Sequence, residues 1–193
     1  MAVIEQERAA PTGLLRTPDQ ILGPFYPVQQ QPSLSGDLTR DGRAQGTVLL
    51  LSGRVLTGTG APVPGARVEI WQANAAGRYA HPNDGNPTPL DPNFDGFAVA
   101  TTDDEGRYRF RTVVPAAYPA GPGRMRPAHI HFKVIGTREE LVTQMYFAGG
   151  EWNDRDPWLQ SARRKEALIV ALDDAPGGDG AKAAVFDIVL AYG

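Results

Sequence analysis

The sequence predicts an all-β chain, a single-domain β-sandwich with long functional loops and an irregular N-terminal tail. Short apolar, β-branched segments recur with Gly, Pro and Asp between them, the spacing of strands and turns in a sandwich. The stretch Arg107-Tyr108-Arg109-Phe110-Arg111 alternates with a period of two, aromatics on one face and arginines on the other. The 22 glycines and 17 prolines among 193 residues are costly inside helices but serve turns.

Residues 1–20 read as a tail, because Pro11, Gly13 and Pro18 interrupt any periodicity. The domain proper is expected over 21–193. It begins with Leu22-Gly23-Pro24-Phe25-Tyr26-Pro27, too rich in breakers for a helix, with two aromatics that argue for packing as an ordered loop. Residues 29–46 read as a surface connection. A strand follows over 48–57, and the turn chemistry of Gly58-Thr59-Gly60-Ala61-Pro62 predicts a hairpin into a strand over 66–71. In that second strand Ala66, Val68 and Ile70 share a face, and Trp71 is read as core. Further strands are expected over 97–102, 107–111, 129–134, 141–147, 168–172 and 184–190, with one short helix over 158–166.

Composition narrows the function. A chain of this length holds one full core, and two domains would each be cramped. A formal net charge of −3, with no long basic run, argues against nucleic acid as a partner. No apolar run reaches membrane-spanning length, and Glu5, Glu7 and Arg8 stand where a secretory signal needs an apolar core. Neither a membrane nor a secretory route is expected, and a cytoplasmic location is the default. With no cysteine there is no thiolate nucleophile, so a bound metal has to use nitrogen and oxygen ligands.

Two of the three histidines lie in Arg126-Pro127-Ala128-His129-Ile130-His131-Phe132-Lys133-Val134. Residues two apart on a strand point the same way, so His129 and His131 present two imidazoles to one point while Ile130, Phe132 and Val134 face the other side. That suits a metal; it equally suits two solvated histidines on the polar face of a strand. Two long proline-stiffened loops, about residues 75–95 and 115–122, are of the kind that carry function. Each holds one tyrosine, Tyr79 and Tyr118, for which packing or a surface position is the simpler reading.

Taken together, the motifs resemble the intradiol ring-cleavage dioxygenases, non-haem Fe(III) enzymes, and among them the protocatechuate 3,4-dioxygenase branch. The matching runs include Gly53-Arg54-Val55, Val68-Glu69-Ile70-Trp71-Gln72-Ala73-Asn74, Gly77-Arg78-Tyr79, Tyr118-Pro119, Arg126-Pro127-Ala128-His129-Ile130-His131-Phe132 and Thr143-Gln144-Met145-Tyr146-Phe147. The resemblance implies that Tyr79, Tyr118, His129 and His131 hold the iron. Phenolate oxygen and imidazole suit Fe(III), whose charge lowers the phenol pKa from its usual value of about 10. It also implies a reaction in which a catechol-type substrate and O2 give a cis,cis-muconate-type product. Tyr118 is the ligand expected to leave and accept a substrate proton.

By the same resemblance Arg126 stands close to the substrate ring to stabilise negative charge. Gln144 offers an amide to a metal ligand or the reacting oxygen, and Gly23, Pro24 and Tyr26 line the substrate pocket. His81 is expected to be structural or exposed. Ala120 stands where protocatechuate enzymes carry a tryptophan, which implies a more open pocket, and self-association into a homo-oligomer is expected. The competing reading is a non-catalytic transthyretin-like β-sandwich binding module, suggested by Pro62-Val63-Pro64-Gly65-Ala66 and Asp104-Glu105-Gly106-Arg107-Tyr108. Those motifs report turns rather than function. A two-histidine Fe(II) oxygenase is disfavoured, because no acidic residue beside the His pair completes a carboxylate triad.

Overall fold

The structure is a computed structural model that describes residues 13–28, 30–177 and 179–192. Its strands are β1 Val48–Thr57, β2 Arg67–Trp71, β3 Phe97–Thr101, β4 Arg107–Val113, β5 Tyr118–Pro119 and β6 Met125–Arg126. They continue with β7 His129–Ile135, β8 Glu140–Phe147, β9 Ile169–Val170, β10 Asp173–Asp174, β11 Lys182–Val185 and β12 Ile188–Leu190. A five-residue helix, α1, covers Pro157–Ser161.

Two five-stranded sheets form the sandwich. In the first, β1 pairs antiparallel with β4 and parallel with β11 and β12, and β10 lies outside β11. The second has the order β3-β2-β7-β8-β9. Leu49, Leu51 and Val55 from β1, with Tyr108 and Phe110 from β4, meet Val68, Ile70, Ile130, Phe132 and Val134 in one buried core. Period two dictates this arrangement: the apolar half of each strand faces inward, and Phe132 touches both Tyr108 and Phe186 of the opposite layer.

Several elements depart from expectation. The strands over 48–57 and 67–71 belong to different sheets, so the link between them is a sandwich corner and not a hairpin. Thr102 closes it, its hydroxyl accepting from the Ala66 amide at 2.8 Å and donating to the Val63 carbonyl at 2.7 Å. The single strand expected near 184–190 is two, β11 and β12, pairing with successive parts of β1. The expected helix stops at Ser161, and a 3-10 turn at Lys165–Leu168 follows Arg164, whose φ is 56°. A left-handed residue cannot continue an α-helix.

Residues 1–12 of the expected tail lie outside the described residues. Residues 13–20 are irregular but tied to the sandwich: Thr17 donates to the Val189 carbonyl, Gln20 to that of Val142, and Pro18 accepts from Thr143. The expected surface connection over 29–46 also enters the core, since Leu38 and Thr39 are fully buried and Asp37 bridges to Arg111.

The outer face of the second sheet matters most for function. Arg67, Glu69 and Trp71 of β2, His129, His131 and Lys133 of β7, and Gln144 and Tyr146 of β8 lie side by side there, since β7 sets Trp71 and Gln144 opposite His131 and Tyr146 opposite His129. In an ordinary sandwich this face meets water. Here His129, His131, Trp71, Gln144 and Tyr146 are all buried, covered by the loops before β1, after β2 and after β4.

Candidate metal centre

The loop after β2 is built to hold Tyr79 inward. Asn74 Oδ1 accepts from the amides of Ala76 and Arg78, and the Asp84 carboxylate accepts from the Tyr79 and Asn86 amides at 2.7 and 2.9 Å. Gly77 has φ +82°, and a Cβ there would lie 2.6 Å from the Ala117 carbonyl oxygen. Only glycine allows the loop bearing Tyr79 to pass so close to the loop bearing Tyr118. Tyr118 belongs to β5 and sits opposite Arg126 of β6, so the short ladder places phenol and guanidinium together.

Four side chains converge. The Nε2 atoms of His129 and His131 are 3.1 Å apart. His129 Nδ1 donates to the Pro127 carbonyl at 2.7 Å, which leaves its Nε2 as a lone pair. The His131 tautomer protonated at Nδ1, on the side of the Ile21 carbonyl, aims a second lone pair at the same point, although that carbonyl falls short of hydrogen-bond geometry. Tyr79 and Tyr118 pack edge to face at 5.4 Å, Tyr118 lies 5.7 Å from His129, and Tyr79 lies 6.3 Å from His131, ring centroid to centroid.

Burial sets the electrostatics. Desolvation pushes both imidazoles well below the ordinary histidine range, helped by the Arg126 charge at His129 and by His129 and then Arg126 at His131. Desolvation also drives the Tyr79 phenol well above its usual value, with the neighbouring Tyr118 adding to the effect. Tyr118 is raised by burial too, against the opposing Arg126 charge. The Tyr79 hydroxyl is buried without a hydrogen-bond partner of good geometry, a costly state for a polar atom.

A cation beside two imidazole lone pairs and this orphaned phenol would relieve that cost, since adjacent ligands of one ion at about 2.1 Å lie about 3 Å apart. The donor set is all nitrogen and oxygen, as Fe(III) prefers. Among the described residues no group of three His, Asp or Glu side chains could hold a metal. Tyr79 and Tyr118 pack against the histidine pair and are its candidate oxygen donors.

Arg126 is buried beside Tyr118, its Nε donating to Asp156 at 2.6 Å and its Nη2 to Gln144 at 2.7 Å and Tyr146 at 3.1 Å. Its guanidinium lies 4.3 Å from the Trp158 ring centroid. Gln144 is spent within this network, since its Nε2 donates to the Ile21 carbonyl at 2.8 Å. It fixes Arg126 and the N-terminal segment; the structure does not bring its amide to a ligand.

A cleft of about 530 Å³ opens beside the centre, with Pro24, Phe25, Asn83, Tyr118, Arg126 and Trp158 among its walls. Of the three residues expected at the substrate pocket, Pro24 borders this cleft, while Gly23 and Tyr26 line, with Pro24, a neighbouring pocket. Gly23 faces the Cε1–Nε2 edge of His131, where a Cβ would meet Cε1 at 3.1 Å. The Tyr26 hydroxyl donates to Glu69 at 2.7 Å, and its ring packs on Trp71. Trp71 is buried as expected but not in the inter-sheet core: it stacks on His131 at 4.7 Å and 11°. His81 is half-buried, its Nδ1 accepting from the Asn83 amide.

Asp156, Tyr146 and Trp158 were not singled out from the sequence as site residues. Asp156-Pro157 carried a usable signal, an N-cap residue followed by proline. Phe25 touches Tyr79 at 4.5 Å; its only signal was an aromatic in a loop too stiff to leave in water.

A family model described as Dioxygenase matches residues 21–192. The protocatechuate 3,4-dioxygenase beta chain of Burkholderia cepacia is 44% identical over 179 residues, which cover 86% of this chain and 76% of that one. A catechol 1,2-dioxygenase of Acinetobacter baylyi is 36% identical over 80% of this chain, and the matched part spans only 52% of that enzyme. Among solved structures, the dioxygenase domain of a dioxygenase carbohydrate-binding protein fusion from Streptomyces sp. SirexAA-E superposes with TM-score 0.73 at 28% identity, covering 92% of this chain and 99% of that one. The 3-chlorocatechol 1,2-dioxygenase of Rhodococcus opacus 1CP gives TM-score 0.74 at 27% identity, covering 92% of this chain and 72% of that one.

Proposed function

This chain belongs to the intradiol ring-cleavage dioxygenase family, and we propose that it binds ferric iron through Tyr79, Tyr118, His129 and His131 and uses O2 to open a catechol between its two hydroxylated carbons. The observation that carries the assignment is the convergence of two buried imidazole nitrogens, 3.1 Å apart, with a buried and unpartnered phenol. No helix among the described residues is long and apolar enough to cross a membrane. The non-catalytic sandwich is disfavoured, because a binding module has no need to bury two histidines beside two tyrosines.

When bound, ferric iron supplies the Lewis acidity that ionises the phenols and catechol hydroxyls and the redox centre for reaction with O2. The chain's own groups divide the remaining work by position. Tyr79 is held behind the cleft by the Asp84 turn and stays in place. Tyr118 borders the cleft, so it is the ligand an incoming catechol can displace, and its phenolate Oη accepts one catechol proton. Arg126, beside Tyr118, is held rigid by Asp156 and Gln144 and stabilises negative charge on the substrate. Phe25 and Trp158 exclude water from the reacting ring.

The test is the visible spectrum and iron content of the purified protein before and after anaerobic addition of catechol. A tyrosinate-to-iron charge-transfer band that shifts with catechol is expected. His129→Ala and Tyr79→Phe should abolish both iron and band, whereas His81→Ala should keep them. A protein that stays colourless after iron reconstitution, or full activity in His129→Ala, would overturn the assignment.

A further inference from the structure

The geometry points to a neutral catechol with a bulky, mainly apolar ring substituent as the substrate class, in preference to a carboxylated catechol. This rests on the catechol-opening activity proposed above and concerns the cleft beside the metal centre. At about 530 Å³ the cleft is several times the size of one dihydroxylated ring, which leaves room for a substituent that displaces water from the wall. Its wall offers such a group Ile21, Pro24, Phe25, Pro87, Pro119 and Ala120. Ala120 has almost no side chain, and this keeps the cleft wide beyond Tyr118.

The charges point the same way. The charged side chains in the wall are Arg126 and Asp84. Arg126 is held beside Tyr118 by Asp156 at 2.6 Å and covered by Trp158, which aims it at the reacting ring and not at a ring substituent. Asp84 has no salt bridge among the described residues and spends its oxygens on the Tyr79 and Asn86 amides. The wall therefore offers a substituent no unpaired cationic side chain. A substrate carboxylate would lose water and find no free cation there, which costs more than burying an apolar group of similar size.

Arg124 and Arg155 do not supply the missing charge. They line a neighbouring pocket of about 120 Å³ that shares Ala120, Arg126 and Trp158 with the cleft, and neither is among the cleft's own walls. Among the cleft's polar side chains, Asn86 is committed to Gly77 and Thr88. Asn83 is exposed at the rim and can hydrogen-bond a neutral oxygen on the substituent.

The experiment compares 4-tert-butylcatechol and biphenyl-3,4-diol with 3,4-dihydroxybenzoate. Binding to the iron-loaded protein is measured anaerobically by calorimetry, and turnover separately in air. The neutral catechols are expected to bind at least about tenfold more tightly and to show a correspondingly higher kcat/KM. Ala120→Arg, which adds a cation to the wall and narrows it, should move the preference toward the carboxylate by at least about tenfold. Tighter binding of 3,4-dihydroxybenzoate by the unmodified protein overturns the inference, as does an Ala120→Arg protein with unchanged preference. Loss of turnover with every catechol, at the expected order of binding, counts against the proposed reaction and leaves the cleft preference standing.

Discussion

The Asp156 carboxylate accepts from Arg126 Nε at 2.6 Å, and its other oxygen accepts from the Leu159 amide at 2.8 Å. One fully buried residue thus both caps α1 and holds the guanidinium that faces Tyr118. The helix whose Trp158 lines the cleft and the charge proposed to serve the substrate are set by the same side chain.

Asp156→Asn should therefore be costly in two ways. It leaves a buried cation without its counter-charge, a loss of about 3–5 kcal/mol, and it releases the aim of Arg126, so kcat should fall. Adding Arg126→Met should recover part of the stability, because the uncompensated charge is gone, but none of the activity. Urea unfolding of the two variants beside steady-state kinetics separates these effects.

Gly23→Ala tests the support beside His131. At φ +76° an alanine is strained by about 1–2 kcal/mol, and its Cβ would press on His131 Cε1 from 3.1 Å. A lower melting temperature and a reduced iron content are expected together. Normal iron content in a destabilised protein would show that His131 gives way without cost.

Tyr108→Phe is the matching control in the other layer. The Tyr108 hydroxyl donates to the Phe186 carbonyl at 2.5 Å in a buried position. Removing it should cost about 1–3 kcal/mol while iron content and KM stay as they were. A changed KM would indicate that the two sheets do not act as a rigid pair.

Asp37 predicts a pH dependence. Burial raises its carboxyl pKa, but the Thr39 hydroxyl and the Thr39 and Asp41 amides outweigh this and hold it below the usual carboxylate value. Its contribution is present above the unfolded pKa of about 3.9 and is lost as pH falls through the lower folded value. Because the group is largely solvent-screened, the contribution is about 1 kcal/mol or less. The difference in urea midpoint between the native chain and Asp37→Asn should be measurable at pH 7 and shrink toward pH 2.

Much of the fold was legible because strand periodicity is local. The alternation in Arg107–Val113 and His129–Ile135 determines which side chains share a face whatever the partners are. The four candidate ligands were legible through motif resemblance, and the His pair also by its spacing. Which sheet each strand joins was not: the turn after β1 has hairpin chemistry, yet the chain crosses to the other layer because both sheets need a partner to bury their apolar faces.

The sequence by itself determined that His129 and His131 point the same way, opposite Ile130, Phe132 and Val134, because a strand's pleat leaves no choice. Only the tertiary structure decided that they point into a buried site and not into water. That depended on distant loops covering the outer face of the second sheet, on Gly77 letting two of them touch, and on segment 13–27 packing beside His131. It also decided that Gln144 serves Arg126, that Tyr26 bonds Glu69, and that Asp156 reaches across thirty residues to the guanidinium. Contacts between segments far apart in the chain are set by how whole layers pack, and no local pattern of residues encodes them.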